Sequence, residues 1–367
     1  MRLVIDARML DHSGIGTYLV NVLPRVLPRC VTLNPVLLAL PGQRARAAAI
    51  AQTFAEVRQW AAPPLSVAEW WPPPVGAPED LWWAPHFNVP LWRGLPLVVT
   101  LHDLLPLSDT AGRWPLHKRL AVRAWLGAVR RRARRVICVS AFTRREAIEL
   151  GHLDAGTTSV IPLGVDAGWS AGASPRATGA PPYLLFVGLV KPHKNLRGLL
   201  LAFETIASMI PHRLIVVGRH TGLRGVDAAA LALAERLAPR VELLESVPQP
   251  RLADLVAGAD LLVQPSFHEG FGLPPLEAMA AGTPVLAARA GALPEVCGDA
   301  ALYCDPGSVA DIGRRILEAV GDKALRARLR ERGLERARAY TWDACANATA
   351  DVLLAAGADA GVRGRAS

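Results

Sequence analysis

The sequence predicts two successive α/β domains, each a parallel sheet wound on both faces by helices. Three observations predict this class. The chain has 367 residues, more than one compact domain ordinarily needs and comfortable for two. Short apolar runs alternate with segments of helical period over residues 3–150, and the alternation restarts at Tyr183. Between the two runs, Asp166 to Pro182 is rich in Gly, Ala, Ser and Pro with little apolar periodicity, as a linker is.

In the first half, apolar strands fit Leu3–Ala7, Pro35–Leu40, Leu97–Leu101 and Val136–Ser140. Helical patterns fit Ile15–Val26, Arg44–Val57, Leu116–Arg132 and Ala141–Leu150. Strands buried on both faces need no polar alternation, and Pro96-Leu-Val-Val-Thr100 shows none. In the second half, strands fit Tyr183–Val187, Leu214–Val217, Val241–Leu244, Leu261–Gln264 and Val285–Ala288. Helices fit Leu196–Ile210, Asp227–Ala238, Arg251–Ala257 and Pro275–Ala281, and Trp342 to Ala356 reads as a last amphipathic helix. The expected division is residues 1–170, a linker at 171–182, a second domain at 183–341, and a terminal helix at 342–367 that packs back on the first domain. Ligands of such sheets bind outside the carboxyl ends of the strands, so two sheets facing each other predict a cleft between domains.

Apolar residues at 51% and charged residues at 20% exclude a disordered chain. No apolar run spans a bilayer, and Met1 to Asp6 is strand-like rather than a basic leader, so a cytoplasmic chain is expected. Five scattered cysteines, Cys30, Cys138, Cys297, Cys304 and Cys345, include no C-x-x-C pair, which argues against a disulfide framework or a zinc site. A formal charge of +9 favours polyanionic partners without choosing among nucleic acid, anionic lipid and phosphorylated small molecules.

The most informative segment is Pro265-Ser-Phe-His-Glu-Gly-Phe-Gly-Leu-Pro-Pro-Leu-Glu-Ala-Met-Ala-Ala-Gly-Thr-Pro284. It leaves a strand and opens a helix. Pro274 and Pro275 suit the first helical turn, where the amides they lack have no partner, and Gly282 suits the far end. Anion-binding N–H groups must then come from Gly270, Phe271, Gly272 and Leu273, with glycines that let the backbone approach a ligand. Glu269 lies at the strand's carboxyl end and Glu277 in the first helical turn. Ionised carboxylates only accept hydrogen bonds, which suits sugar and ribose hydroxyls.

This string resembles the E-x7-E signature of retaining GT-B glycosyltransferases, especially glycosyltransferase family 4, and the similarity runs over nearly the whole chain. The resemblance implies that Glu269 contacts the transferred sugar and Glu277 the nucleotide ribose, with Gly270 to Leu273 facing donor sugar and diphosphate. It also bears on Phe186-Val-Gly-Leu-Val-Lys-Pro-His-Lys-Asn195, where a lysine between strand and helix is placed to meet a leaving diphosphate. Lys194 matches the family's phosphate lysine. Leu189 stands where many members carry arginine, so His193, Lys191 or Arg219 is left to supply further phosphate charge.

In the first half, Asp11-His-Ser-Gly-Ile-Gly-Thr-Tyr18 resembles the family's first loop, implying that Gly14 and Gly16 present amides to the diphosphate. The G-x-G is weak on its own. Thr100-Leu-His-Asp-Leu104 implies that His102 projects towards the transferred sugar and that Asp103 holds the loop or touches the acceptor. Ser140 and Gly164 also match, with structural roles: a helix cap and a turn.

The chain contains no D-x-D triplet, so no metal and no other cofactor is expected. The resemblance implies retention through an oxocarbenium-like, same-face substitution. Its nearest flavour is bacterial polysaccharide and O-antigen synthesis: a hexose, mannose from GDP-mannose, passed to a glycan or lipid-linked oligosaccharide hydroxyl. Basic residues from Arg113 to Arg135, with Trp114 and Trp125 interleaved, fit peripheral contact with an anionic inner membrane face or equally a solvated helix face. Trp70-Trp71 and Trp82-Trp83 either line an acceptor region or pack. Rival readings are a sugar-nucleotide epimerase or phosphorylase of the same architecture, and a nucleic-acid binder. The last leaves the Glu269–Glu277 string unexplained, and no nucleic acid is expected.

Overall fold

The structure is a computed structural model that describes residues 1–70, 73, 75, 80–91, 95–108, 114–166, 168–171, 180–222 and 225–363. It divides into two compact units, Met1–Gly164 with Trp342 onward, and Val165–Thr341. Residues 165–170, expected with the first domain, therefore cluster with the second, where Val165 bridges to Thr341. Residues 172–179 of the expected linker lie outside the described residues.

The first unit contains β1 (Leu3–Asp6), α1 (Ser13–Val26), β2 (Val36–Ala39), α2 (Arg44–Ala51), β3 (Glu56–Gln59), β4 (Leu81–Ala84), β5 (Leu97–Leu101), α3 (Leu105–Ser108), α4 (Leu116–Arg132), β6 (Ala133–Cys138), α5 (Ala141–Glu149) and β7 (Thr158–Val160). Its strands form one all-parallel sheet in the order β3-β2-β1-β4-β5-β6-β7. The order reverses direction between β1 and β4, which makes that edge a topological switch point.

The helix expected over Arg44–Val57 ends at Ala51. Gln52 takes φ +47 there, and the chain re-enters the sheet as β3. Edge strand β3 reads Glu-Val-Arg-Gln and is only partly buried, so it carries no apolar signal. Strand β4, Leu-Trp-Trp-Ala, lies wholly in the core, and Trp82 and Trp83 are fully buried. That settles the packing role for this pair; Trp71 lies outside the described residues. Ser140 caps α5 by accepting from the Thr143 N–H at 2.9 Å.

The second unit contains α6 (Gly168–Ala171), β8 (Tyr183–Val187), α7 (Leu196–Ile206), β9 (Arg213–Val217), α8 (Ala228–Arg236), β10 (Val241–Leu244), α9 (Gln249–Ala257), β11 (Leu261–Gln264), α10 (Leu273–Ala280), β12 (Val285–Ala288), α11 (Leu293–Cys297), β13 (Ala301–Cys304), α12 (Val309–Gly321) and α13 (Lys323–Arg338). Its sheet is again all parallel, in the order β10-β9-β8-β11-β12-β13. Leu199, Phe203, Ile206, Ile312 and Ile316 pack α7 and α12 together over one face.

The last helix, α14 (Trp342–Arg363), belongs to the first unit. Its buried Cys345, Ala346, Thr349, Ala350, Leu353 and Ala356 recur at helical spacing. Exposed pairs flank the seam, Arg25 to Asp343 and Arg29 to Asp351, each at 2.7 Å. All five cysteines are free and buried.

Candidate functional site

In the second unit the strand-end loops converge on Glu269, which is 8% exposed. Lys194 donates to both its oxygens, at 2.7 Å to Oε1 and 2.6 Å to Oε2. Oε1 also accepts from Ser266 Oγ at 2.8 Å and from Gln264 Nε2 at 3.1 Å, both from fully buried residues. Burial pushes the Glu269 carboxyl upward, but the Lys194 ammonium and the Ser266 hydroxyl outweigh it and hold the group below the usual carboxylate range. Glu269 is therefore an ionised, immobilised acceptor. An ammonium carries three donors, and Glu269 takes two of them from Lys194.

Residues to which the sequence assigned no chemistry hold this pair in place. Asn195 sits at φ +56 and is 5% exposed. Its Nδ2 donates to the carbonyls of Pro265 (3.0 Å) and Pro306 (2.8 Å), while its Oδ1 caps α7 at the Gly198 N–H. The Phe267 N–H donates to the His193 carbonyl at 2.8 Å, a second tie between the lysine loop and the glutamate loop. From the other side, the Ala292 N–H donates to the Glu269 carbonyl at 2.9 Å. A Cβ on Gly291 would stand 2.6 Å from that same carbonyl oxygen, so only glycine fits. Gly218, after β9, is excluded from bearing a side chain just as firmly, since its Cβ would lie 1.8 Å from the Gly188 carbonyl.

Gly272 takes φ +109 and precedes α10, with Pro274 and Pro275 inside the first turn. Leu273 alone among the first three helical residues has an N–H, so the free backbone donors are few. Phe271 packs its ring edge-on against Tyr340 at 5.8 Å, which leaves it to serve a ligand through its backbone. Glu277 is not in the first turn of α10: the helix begins at Leu273, and Glu277 lies one turn further in. Burial, then the nearby Asp166, push its carboxyl up to about 7. At neutral pH it is thus part protonated, able to donate as well as accept, unlike Glu269.

In the first unit, α1 begins at Ser13, so Gly14 and Gly16 sit in its first turn rather than in a loop. The Gly16 N–H already donates to the His12 carbonyl at 2.7 Å and is not available to a ligand. Gly16 serves space instead, because its Cβ would stand 2.4 Å from the Leu10 carbonyl. Gly14 has nothing within 4 Å of its Cβ position and lies among the free amides of the helix start.

His102 follows β5 and meets Tyr18 edge-on at 5.0 Å. Burial first, then His86, drive its pKa down to about 3, so the ring is neutral. Its Nε2 is buried and has no hydrogen-bond partner among the described residues. Asp103 holds its loop by accepting from the Leu105 N–H at 3.1 Å. A buried ionic network that the sequence did not advertise lies beside them. Arg8 is 1% exposed, bonds Asp6 and Glu69 at 2.6 Å each, and stacks on Trp60 with its guanidinium carbon 3.6 Å from the ring centroid.

The basic segment is not one surface. Trp125 is buried in the core, and Arg134 and Arg135 belong to β6, where they bond the Ala356 carbonyl and Asp359. Arg113 lies outside the described residues.

Residues 173–336 match the family described as glycosyl transferases group 1, and residues 78–169 match glycosyltransferase family 4. The chain is a GT-B protein related to these glycosyltransferases. Within that relationship it is 39% identical over 170 residues to the O-antigen chain mannosyltransferase B of Escherichia coli, covering 46% of this chain and 44% of that protein. It is 30% identical over 286 residues to a D-inositol 3-phosphate glycosyltransferase of Corynebacterium glutamicum, covering 70% and 65%. The chain thus spans less than two thirds of either relative. Among solved structures, Anabaena HepE in complex with UDP-glucose superimposes with a TM-score of 0.77 at 19% identity, covering 97% of this chain and all of that one. Both glycosyltransferase matches span the loops described above: the group 1 region holds Lys194, Glu269 and Glu277, and the family 4 region holds His102.

Proposed function

We propose that this chain is a glycosyltransferase that takes a hexose from a nucleotide-diphosphate sugar and passes it to a glycan or lipid-linked hydroxyl. The observation that carries the reading is the Lys194–Glu269 pair at 2.6–2.7 Å, set on two glycine-bearing loops at the carboxyl edge of the second sheet. Lys194 has one ammonium donor left for a leaving diphosphate oxygen, and the Glu269 carboxylate accepts from a sugar hydroxyl. The Gly270–Leu273 backbone and His193 flank the diphosphate, and Glu277 takes the ribose. Charge on the leaving group is met by preorganised donors rather than by water. The retaining course, with the departing phosphate taking the acceptor proton, completes the reading without a metal ion. GDP-mannose is the preferred donor, on the likeness to an O-antigen mannosyltransferase.

The test is a thermal-shift panel of GDP-mannose, UDP-glucose, UDP-N-acetylglucosamine and dTDP-rhamnose. A donor at a hundred times its Kd stabilises the native state by about 2.7 kcal/mol. GDP-mannose raises the midpoint of wild type, and the increment disappears in Lys194→Ala. No response to any of the four, or conversion of the sugar nucleotide with no acceptor present, counts against the transferase.

Membrane contact is part of the same proposal, and we assign it to the first half of α4. Leu116 and Leu120 are 67% and 52% exposed, beside exposed Lys118 and Arg123. Among the described residues no helix is long and apolar enough to cross a membrane, so contact would be at the surface. Replacing both leucines with aspartate removes about 3 kcal/mol or more of apolar burial and adds like charge. Sedimentation with phosphatidylglycerol vesicles should fall at least tenfold; unchanged sedimentation, or none in wild type, refutes the contact.

A further inference from the structure

We infer that His86 is a hydroxyl-recognising residue of the first unit, fixed as a hydrogen-bond acceptor at Nε2 by Glu69 and Asn88. Arg8 can only donate. Its Nη2 lies 2.6 Å from Glu69 Oε1, so that oxygen is an acceptor. Glu69 Oε1 is also 2.8 Å from Asn88 Nδ2, so Asn88 must present its NH₂ to Glu69 and its carbonyl oxygen to the other side. That oxygen faces His86 Nδ1 at 2.8 Å. Nδ1 therefore carries the proton. Burial keeps His86 neutral at physiological pH, with a pKa of about 4, so Nε2 carries the lone pair, and among the described residues the ring's one hydrogen bond is the one at Nδ1.

His102 reaches the same tautomer by an independent route. Its ring shares a hydrogen bond with the backbone of Pro85, and proline has no N–H, so the carbonyl accepts and the ring donates. Nε2 has no partner, so the donor is Nδ1 and Nε2 is again a bare acceptor. The two rings follow adjacent parallel strands, β4 and β5, at their carboxyl ends, where such sheets bind ligands. A buried acceptor left unpaired, as His102 Nε2 is among the described residues, costs about 1–3 kcal/mol, and folding has no use for it. Two lone pairs that lack donors repel an anion and suit a neutral ligand rich in O–H groups. Asp6, Arg8, Glu69 and Asn88 touch no such ligand themselves; they are positioning residues that set which ring nitrogen is bare.

The ligand class, a sugar hydroxyl of the acceptor, rests on the transferase reading; the tautomer does not. The test uses the full chain labelled with 15N-histidine, read by long-range proton–nitrogen correlation at pH 7. Both rings should show a protonated Nδ1 and an unprotonated Nε2. Titration with methyl α-D-mannopyranoside, methyl β-D-glucopyranoside and methyl N-acetyl-α-D-glucosaminide should move the His86 Nε2 resonance for one of them. The variant His86→Asn reaches Asn88 with its own amide in place of Nδ1 but has nothing at Nε2. It should keep the wild-type melting midpoint and donor-induced shift while binding that glycoside about three- to tenfold more weakly, the worth of one hydrogen bond. An Nε2–H tautomer at His86, silence towards all three glycosides, or capture of Zn²⁺ by the two rings in their place overturns the assignment. If no nucleotide sugar stabilises the protein while one glycoside still moves Nε2, the transferase reading fails and the hydroxyl site stands.

Discussion

On the proposed transferase reading, Lys194→Ala should lose about 10²–10³-fold in transfer rate and should be less stable than wild type by about 3 kcal/mol at pH 7. The rate loss is the ordinary consequence of removing one preorganised donor from a developing anion. The stability loss has a different cause. Glu269 is 8% exposed and stays where it is, so the variant buries a carboxylate whose cation is gone. The figure sits at the low end for a broken buried pair because the Lys194 side chain is itself 18% exposed in wild type. The pH dependence separates these causes. In wild type the Glu269 pKa is held below its unfolded value, so its contribution is complete above that ordinary carboxylate value and is lost as pH falls through the folded one. In the variant the Lys194 charge and hydrogen bonds are gone, and burial, the largest influence, is opposed only by Ser266 and His193, so the pKa rises and acid relieves the strain instead. Urea unfolding from pH 7 to pH 4 should show the gap between the two proteins closing. The pair Lys194→Met with Glu269→Gln, which leaves no buried charge, should recover most of the stability and none of the activity. A constant gap across that pH range would mean that the ion pair does not set the state of Glu269.

The second large effect is expected at a residue that touches no ligand. Gly291 takes φ +61, and a Cβ there would stand 2.6 Å from the Glu269 carbonyl oxygen and 2.7 Å from its nitrogen. Gly291→Ala must therefore push the backbone that carries the catalytic candidate, weakening the 2.9 Å bond from the Ala292 N–H. A displacement near 1 Å costs on the order of 10²-fold in rate. The left-handed conformation adds about 1–2 kcal/mol, and the steric shift brings the total to roughly 3 kcal/mol. Gly222→Ala is the control: Gly222 has φ +65 with nothing within 4 Å, so it bears the conformational cost alone. Equal losses of activity in the two variants would show that Gly291 does not position Glu269.

The sequence by itself determined the two parallel α/β units and the loops on which their chemistry is carried. Buried strands such as Tyr183–Val187, Leu261–Gln264 and Val285–Ala288 are continuous apolar runs bounded by turn residues, and a local signal suffices to place them. The punctuation around Glu269 and Glu277, with two prolines at the helix start and Gly282 at its end, is likewise local chemistry.

Only the tertiary structure decided what those side chains do. Lys194 and Glu269 are 75 positions apart, and no periodicity reports that their charges cancel. Gln264, Ser266, Asn195 and Gly291 are ordinary residues until their neighbours are known, because what they supply is a distance to another loop. The network of Asp6, Arg8, Glu69, Asn88 and His86 gathers from three separate segments, two of them strand ends and the third a short helical turn, and its members read as scattered polar residues. Edge strands β3 and β7 escaped for the converse reason: paired on one side and partly exposed, they lack the apolar run that burial imposes on β1, β2 and β5; β4 was not expected either, although its Leu-Trp-Trp-Ala run is wholly buried. Neighbouring charge also split the two buried glutamates: Lys194 outweighs burial and holds Glu269 ionised, while burial, with Asp166 nearby, lifts Glu277 to about 7. A sequence states that both are carboxylic acids; the charge each carries is set by the three-dimensional company it keeps.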